Sequence, residues 1–80
     1  MEIIMLTKDG CGACKEFKPF AKEVAEELGF TFKILANPKM EVPFFPYFYM
    51  MDGGAIVQQW GGVQERKYRN VLTRAAKTSE

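Results

Sequence analysis

Both cysteines of this chain fall within one short stretch, Gly10-Cys11-Gly12-Ala13-Cys14, where an apolar run of strand character gives way to a long amphipathic helical pattern. No other feature constrains the fold as tightly. In an ideal helix, residues three apart have Cα atoms about 5 Å apart, a separation a disulfide tolerates. A helix's first turn also directs unsatisfied backbone N–H groups, and the positive end of the macrodipole, at Cys11, which favours its thiolate. The pair can therefore attack, close and reopen. Half a zinc site and two unrelated buried thiols are the blander alternatives. A structural zinc site wants four ligands, and with no histidine and no third cysteine they could come only from a dimer. A C-x-x-C beside a βαβ pattern reads instead as a redox motif, and no metal is expected.

The hydrophobic period sets the elements around this stretch. Residues 2–6 are continuously apolar after Glu2, so Ile3 and Met5 face one way and Ile4 and Leu6 the other, the mark of a strand covered on both faces. From Cys11 onward Phe17, Phe20, Ala21, Val24 and Leu28 recur at helical spacing, and Gly29 suits the left-handed residue that ends the helix. Pro19 removes a helical hydrogen bond and predicts a kink between about Lys15 and Pro19. Residues 30–35 alternate as a half-buried strand, and Asn37-Pro38 and Pro43 make residues 36–45 a loop or at most one short helical turn. Residues 47–51 are apolar on both faces, Asp52-Gly53-Gly54 is hairpin chemistry, and residues 55–60 return as a strand broken by Gly61-Gly62. A last helix over residues 64–77 places Tyr68, Val71, Leu72 and Ala75 on one face. The aromatic run Phe44, Phe45, Tyr47, Phe48, Tyr49 is expected to fill the core, with Phe44 and Phe45 as the exceptions.

Burial then orders the sheet. The two strands apolar on both faces should be central and the two alternating ones edges. A right-handed βαβ unit sets the first two strands parallel and adjacent, and the hairpin adds an antiparallel pair beyond them. The expected fold is α/β, a four-stranded mixed sheet in the order 2-1-3-4 flanked by helices.

Eighty residues make a single domain, residues 1–80, with a small core. The net charge of +1 suggests no nucleic-acid partner, and the basic residues Arg66, Lys67, Arg69, Arg74 and Lys77 are most simply a solvated helix face. No apolar run approaches the length of a membrane span, and Met1-Glu2-Ile3-Ile4 lacks a basic leader, so a cytoplasmic monomer that does not engage the membrane is expected.

The residues then resemble a known superfamily, that of the thioredoxins, over nearly the whole chain. Cys11-Gly12-Ala13-Cys14-Lys15 is similar to the thioredoxin Cys-Gly-Pro-Cys-Lys with Ala13 in place of proline. Pro19, eight residues after Cys11, falls where thioredoxins carry their kinking proline. Pro46, before an apolar strand and a glycine hairpin, matches the cis-proline that packs beside the dithiol and presents backbone to substrate. The chain departs from that pattern too. Gly10 stands where thioredoxins have tryptophan, Met5 where they bury an aspartate, and the extra N-terminal strand and helix are missing. In size it resembles glutaredoxins and the compact thioredoxins of phages and archaea. Lys8 matches a glutaredoxin lysine that helps hold glutathione, and Gly61-Gly62 loosely resembles their glycine pair, but no aspartate follows Gly62.

The resemblance implies a minimal thioredoxin fold and a thiol-disulfide oxidoreductase that reduces protein disulfides and needs no cofactor. Cys11 is then the attacking thiolate and Cys14 the more buried, resolving thiol. Gly10, Gly12, Ala13, Phe45, Pro46 and Gly61 are the expected substrate-binding residues. Lys8 is a candidate for lowering the thiol pKa, though equally an ordinary solvated turn residue. The partners expected are disulfide-containing proteins, with a thioredoxin-reductase-type flavoenzyme or glutathione as electron donor. The missing acidic partner for the glutathione ammonium favours the flavoenzyme. A glutathione-dependent glutaredoxin-like enzyme, and a binding subunit whose thiols are incidental, are the alternatives.

Overall fold

Strands and helices form where the hydrophobic period places them in the computed structural model, which describes residues 1–78. In chain order they are β1 (Glu2–Thr7), α1 (Gly12–Glu27), β2 (Thr31–Ala36), β3 (Tyr47–Asp52), β4 (Ala55–Gly61) and α2 (Glu65–Thr78). The sheet order is β2-β1-β3-β4, with β1 and β2 parallel and the other pairs antiparallel, as the burial pattern predicts.

α1 ends where Gly29 takes φ 86°. The amide of Gly29 donates to the Glu26 carbonyl at 3.1 Å and that of Phe30 to the Ala25 carbonyl at 2.8 Å, the paired bonds of a Schellman cap. Phe30 is thus the buried anchor of the cap, and β2 begins one residue later than expected. α1 continues as helix through Pro19, which is exposed together with Lys15, so the carbonyl left without its helical donor can be hydrated. Gly53 and Gly54 both have positive φ, the type I′ turn that a two-residue hairpin needs. Val57 is the extra residue of a bulge, because Met50 pairs with Gln58 and Met51 with Ile56. Residues 37–46 contain bends and no helical turn.

One core holds the molecule together. Ile3 and Met5 of β1, Phe48 and Met50 of β3 and Trp60 of β4 pack with Phe17, Ala21 and Val24 of α1 and Tyr68, Leu72 and Ala75 of α2. Both helices therefore lie on the same face of the sheet. Tyr68 joins them: its ring meets Phe17 edge-on at 5.4 Å, and its hydroxyl donates to the Ala21 carbonyl at 2.7 Å. Desolvation there pushes the phenol above its ordinary range.

The expectation that the central strands are covered on both faces is met on the face away from the helices only at Leu6, which is fully buried opposite Tyr47, and is corrected for the rest of that face. Ile4, Tyr47, Tyr49 and Met51 point away from the helices and are half-buried, and among the described residues no helix lies on that side. Tyr49 instead donates its hydroxyl to the Met40 sulfur of the 37–46 segment at 3.2 Å. Tyrosine and methionine satisfy an apolar pattern without needing full burial. For the same reason only Phe48 of the aromatic run is core, and Phe44 is 52% exposed. No helix among the described residues is long and apolar enough to cross a membrane.

Candidate functional site

β1 delivers the chain to a turn that aims the dithiol. The Cys11 amide donates to the Lys8 carbonyl at 3.3 Å, and Gly10 takes φ 77°, the positive value a type II turn requires at its third position. Cys11 is the N-cap of α1, extended at φ −86° and ψ 95°, and its sulfur accepts the Cys14 amide at 3.1 Å. Sulfur here does what a serine or aspartate oxygen does at most helix starts. The first turn of α1 holds no acidic residue to offset the positive end of the helix.

Cys11 and Cys14 form a disulfide with Cα atoms 5.3 Å apart. Cys14 is 4% exposed and packed in the core, whereas Cys11 is half-buried and Gly12 and Ala13 are exposed. A reactant arriving from solvent meets Cys11 first. Beside it lies an open cleft of about 500 Å³ whose lining includes Lys8, Gly10, Cys11, Gly12 and Cys14. Ala13 faces the opposite side, in a smaller groove of about 220 Å³ shared with Glu16, Phe17, Val63 and Glu65.

The remaining expected residues approach through the 37–46 segment. The Lys8 ammonium sits 5.3 Å from the centroid of the Phe45 ring, within cation–π range. The Phe45-Pro46 peptide bond is cis. The Pro46 ring is buried and its carbonyl accepts the Gly62 amide at 2.9 Å, which leaves the half-buried Phe45 as the accessible part of the pair. Gly61 is half-buried beneath Phe44: a Cβ there would collide with the Phe44 ring and lie 2.6 Å from Tyr47 Cδ1. Lys8, Gly10 and Gly12 are thus gathered at the cleft, Ala13 lines the far groove, and Pro46 and Gly61 support the segment that carries Phe45.

Asn37 is the residue that sequence reading missed. It has φ 51°, its side-chain oxygen accepts the Asp9 amide at 3.0 Å, and its own amide donates to the Thr7 carbonyl at 2.7 Å. It therefore clips the 37–46 segment to the turn before Cys11. The Asn-Pro pair signals only a turn, although asparagine's tolerance of the left-handed region is the clue it carries. Exposed Val63, across from Ala13, carried no sequence signal beyond following Gly62 where no aspartate stands.

No protein-family model matches the sequence, and no curated protein matches it. The folded chain is similar to solved thioredoxins. Thioredoxin 1 of the thermophilic eubacterium Thermosipho africanus superposes with a TM-score of 0.84 at 18% identity, covering 99% of this chain and 98% of that one. Thioredoxin f of spinach chloroplast gives 0.78 at 21% identity, over 94% of this chain and 74% of that one. The thioredoxin of Fasciola hepatica gives 0.75 at 22% identity, over 90% and 77%. Identity this low speaks to architecture, and the architecture is plain: the chain has the thioredoxin fold.

Proposed function

We propose that this protein is a thiol-disulfide oxidoreductase that reduces disulfides in other proteins. The observation that carries the reading is the asymmetric pair at the start of α1: Cys11 half-buried at the N-cap and Cys14 buried behind it, joined as a disulfide. In the reduced protein the Cys11 thiolate attacks one sulfur of the substrate disulfide. The substrate S–S bond breaks, its other sulfur leaves as a thiol after taking a proton, and Cys11 is held in a mixed disulfide. The Cys14 thiol then loses its proton and attacks Cys11, which releases the second substrate thiol and closes the Cys11–Cys14 disulfide. Two electrons and two protons pass to the substrate.

The spent disulfide must be reduced again, and a thioredoxin-reductase-type flavoenzyme is the donor we favour. Glutathione would need an acidic partner for its ammonium; Val63 and Gln64 follow Gly62, and the first acid of α2, Glu65, lines the Ala13 groove and not the cleft beside Cys11. A chain that works as a reductant belongs in a reducing compartment, the cytoplasm, where structural disulfides are rare. The test is insulin reduction with dithiothreitol as electron source, followed by recycling with thioredoxin reductase and with glutathione on the same preparation. Acceleration with dithiothreitol and faster recycling by the flavoenzyme are expected. No acceleration would leave a binding module with incidental thiols, and faster recycling by glutathione would favour a glutaredoxin-like enzyme.

A further inference from the structure

Charge is distributed unevenly across the dithiol. On the cleft side stand three exposed lysines, Lys8, Lys15 and Lys18, against one acid, Asp9. Cys11, Lys15 and Lys18 are spaced four and three residues apart, which puts both lysines on the edge of α1 that runs on from Cys11 along the cleft. On the opposite side, in the groove with Ala13, stand Glu16 and Glu65 and no base. The three lysines are in neither of the ion pairs among the described residues, which join Lys33 to Glu2 and Arg69 to Glu27. Lys8 is held in place by the Phe45 ring.

We infer that the cleft selects substrates whose disulfide is flanked on one side by acidic residues, a specificity that rests on the oxidoreductase reading above. Carboxylates on an extended segment seat among Lys8, Lys15 and Lys18 while the disulfide lies over Cys11. Three ammonium groups on flexible stems are separate point charges, suited to carboxylates spaced along a chain rather than to one compact anion, which an arginine fork would grip better. Ile34, 41% exposed on the far wall, offers apolar surface to an intervening side chain. Glu16 and Glu65 repel acid on the other flank, so the arrangement also orients the segment across the sulfur. The chemistry is unchanged: the substrate S–S bond accepts two electrons from the Cys11 and Cys14 sulfurs, one proton from the Cys14 thiol and one from solvent.

The test uses peptide disulfides of one core sequence flanked on one side by glutamates, glutamines or lysines, with kcat/KM measured at ionic strengths of about 0.01 M and about 1 M. At low salt the glutamate-flanked peptide is expected to be reduced about tenfold faster than the glutamine-flanked one, with the preference collapsing at high salt. Lys15→Glu together with Lys18→Glu should invert the glutamate-to-lysine ratio. Lys22→Glu, four residues beyond Lys18 and outside the cleft, should change the ratio much less, because its charge acts only at longer range. Because each ratio is internal to one variant, a partly unfolded preparation does not distort it. Equal rates for all three peptides, or an equal response to Lys22→Glu, would overturn the inference while the oxidoreductase reading stands. Faster reduction of glutathione disulfide than of the glutamate-flanked peptide would also overturn it, in favour of a small-anion site. Reduction of none of the peptides would remove the oxidoreductase reading and this inference with it.

Discussion

At the scale of single residues, reactivity and positioning fall to different side chains. Cys11 accepts the Cys14 amide and caps a helix whose first turn carries no acid, so its thiol in the reduced protein should titrate below the ~8.5 of a free cysteine. The thiolate is the nucleophile, so the alkylation rate by iodoacetamide should rise with pH and level off below that value. A plateau at or above it would remove the helix-terminus argument. Asn37 makes a different contribution: Asn37→Ala gives up both its tolerance of φ 51° and the bond to Asp9, and should cost about 1–3 kcal/mol in urea denaturation. Asn37→Gly keeps the backbone conformation and should cost roughly 0.5–1.5 kcal/mol, that of the hydrogen bond alone. The cysteines could be read from the sequence because their relation is local, three residues apart at a change of period. Asn37 could not, since its partner Asp9 lies 28 residues away and only the folded loop brings them together.

Among the elements, the ends are set by residues whose backbone conformation few others adopt. Gly29→Ala forces a side chain onto φ 86° and should destabilise the protein by about 1 kcal/mol, read as a lower urea midpoint with an unchanged slope. Gly61→Ala collides with the rings of Phe44 and Tyr47, and overpacking of that kind costs roughly 1–3 kcal/mol. It should also displace the segment bearing Phe45, so reduction of insulin should slow; an unchanged rate would mean that Phe45 takes no part in the site. Strand and helix boundaries were legible to within a residue or two because period, cap and turn agree at each of them, as at Gly29 and at Gly53-Gly54. The role of Gly61 was not, because it depends on an aromatic ring from a loop that has no period to read.

Taken whole, the molecule is a sheet with two helices on one face, and Tyr68 is where the helices and sheet meet. Tyr68→Phe removes the bond to Ala21 and should cost about 1 kcal/mol, measured by denaturation followed through Trp60, the single tryptophan. Burial raises the Tyr68 pKa from its ordinary 10.0, so the folded state keeps a proton that the unfolded state gives up above that pH. Its contribution is fully present below pH 10.0 and declines as the pH climbs further, and Tyr68→Phe should flatten that alkaline loss. The sheet order could be deduced because burial separates central from edge strands. The helix-free second face, buried at Leu6 and half-buried elsewhere, could not, since the apolar run from Ile3 to Leu6 says that a surface avoids water and not what covers it. The central claim is that Cys11 at the surface attacks and Cys14 behind it resolves. Cys14→Ser should therefore trap a disulfide-linked substrate on Cys11, detected by mass spectrometry of the intact adduct and its peptides, while Cys11→Ser should trap none; an adduct carried by Cys14 in Cys11→Ser, with none on Cys11 in Cys14→Ser, would contradict the account.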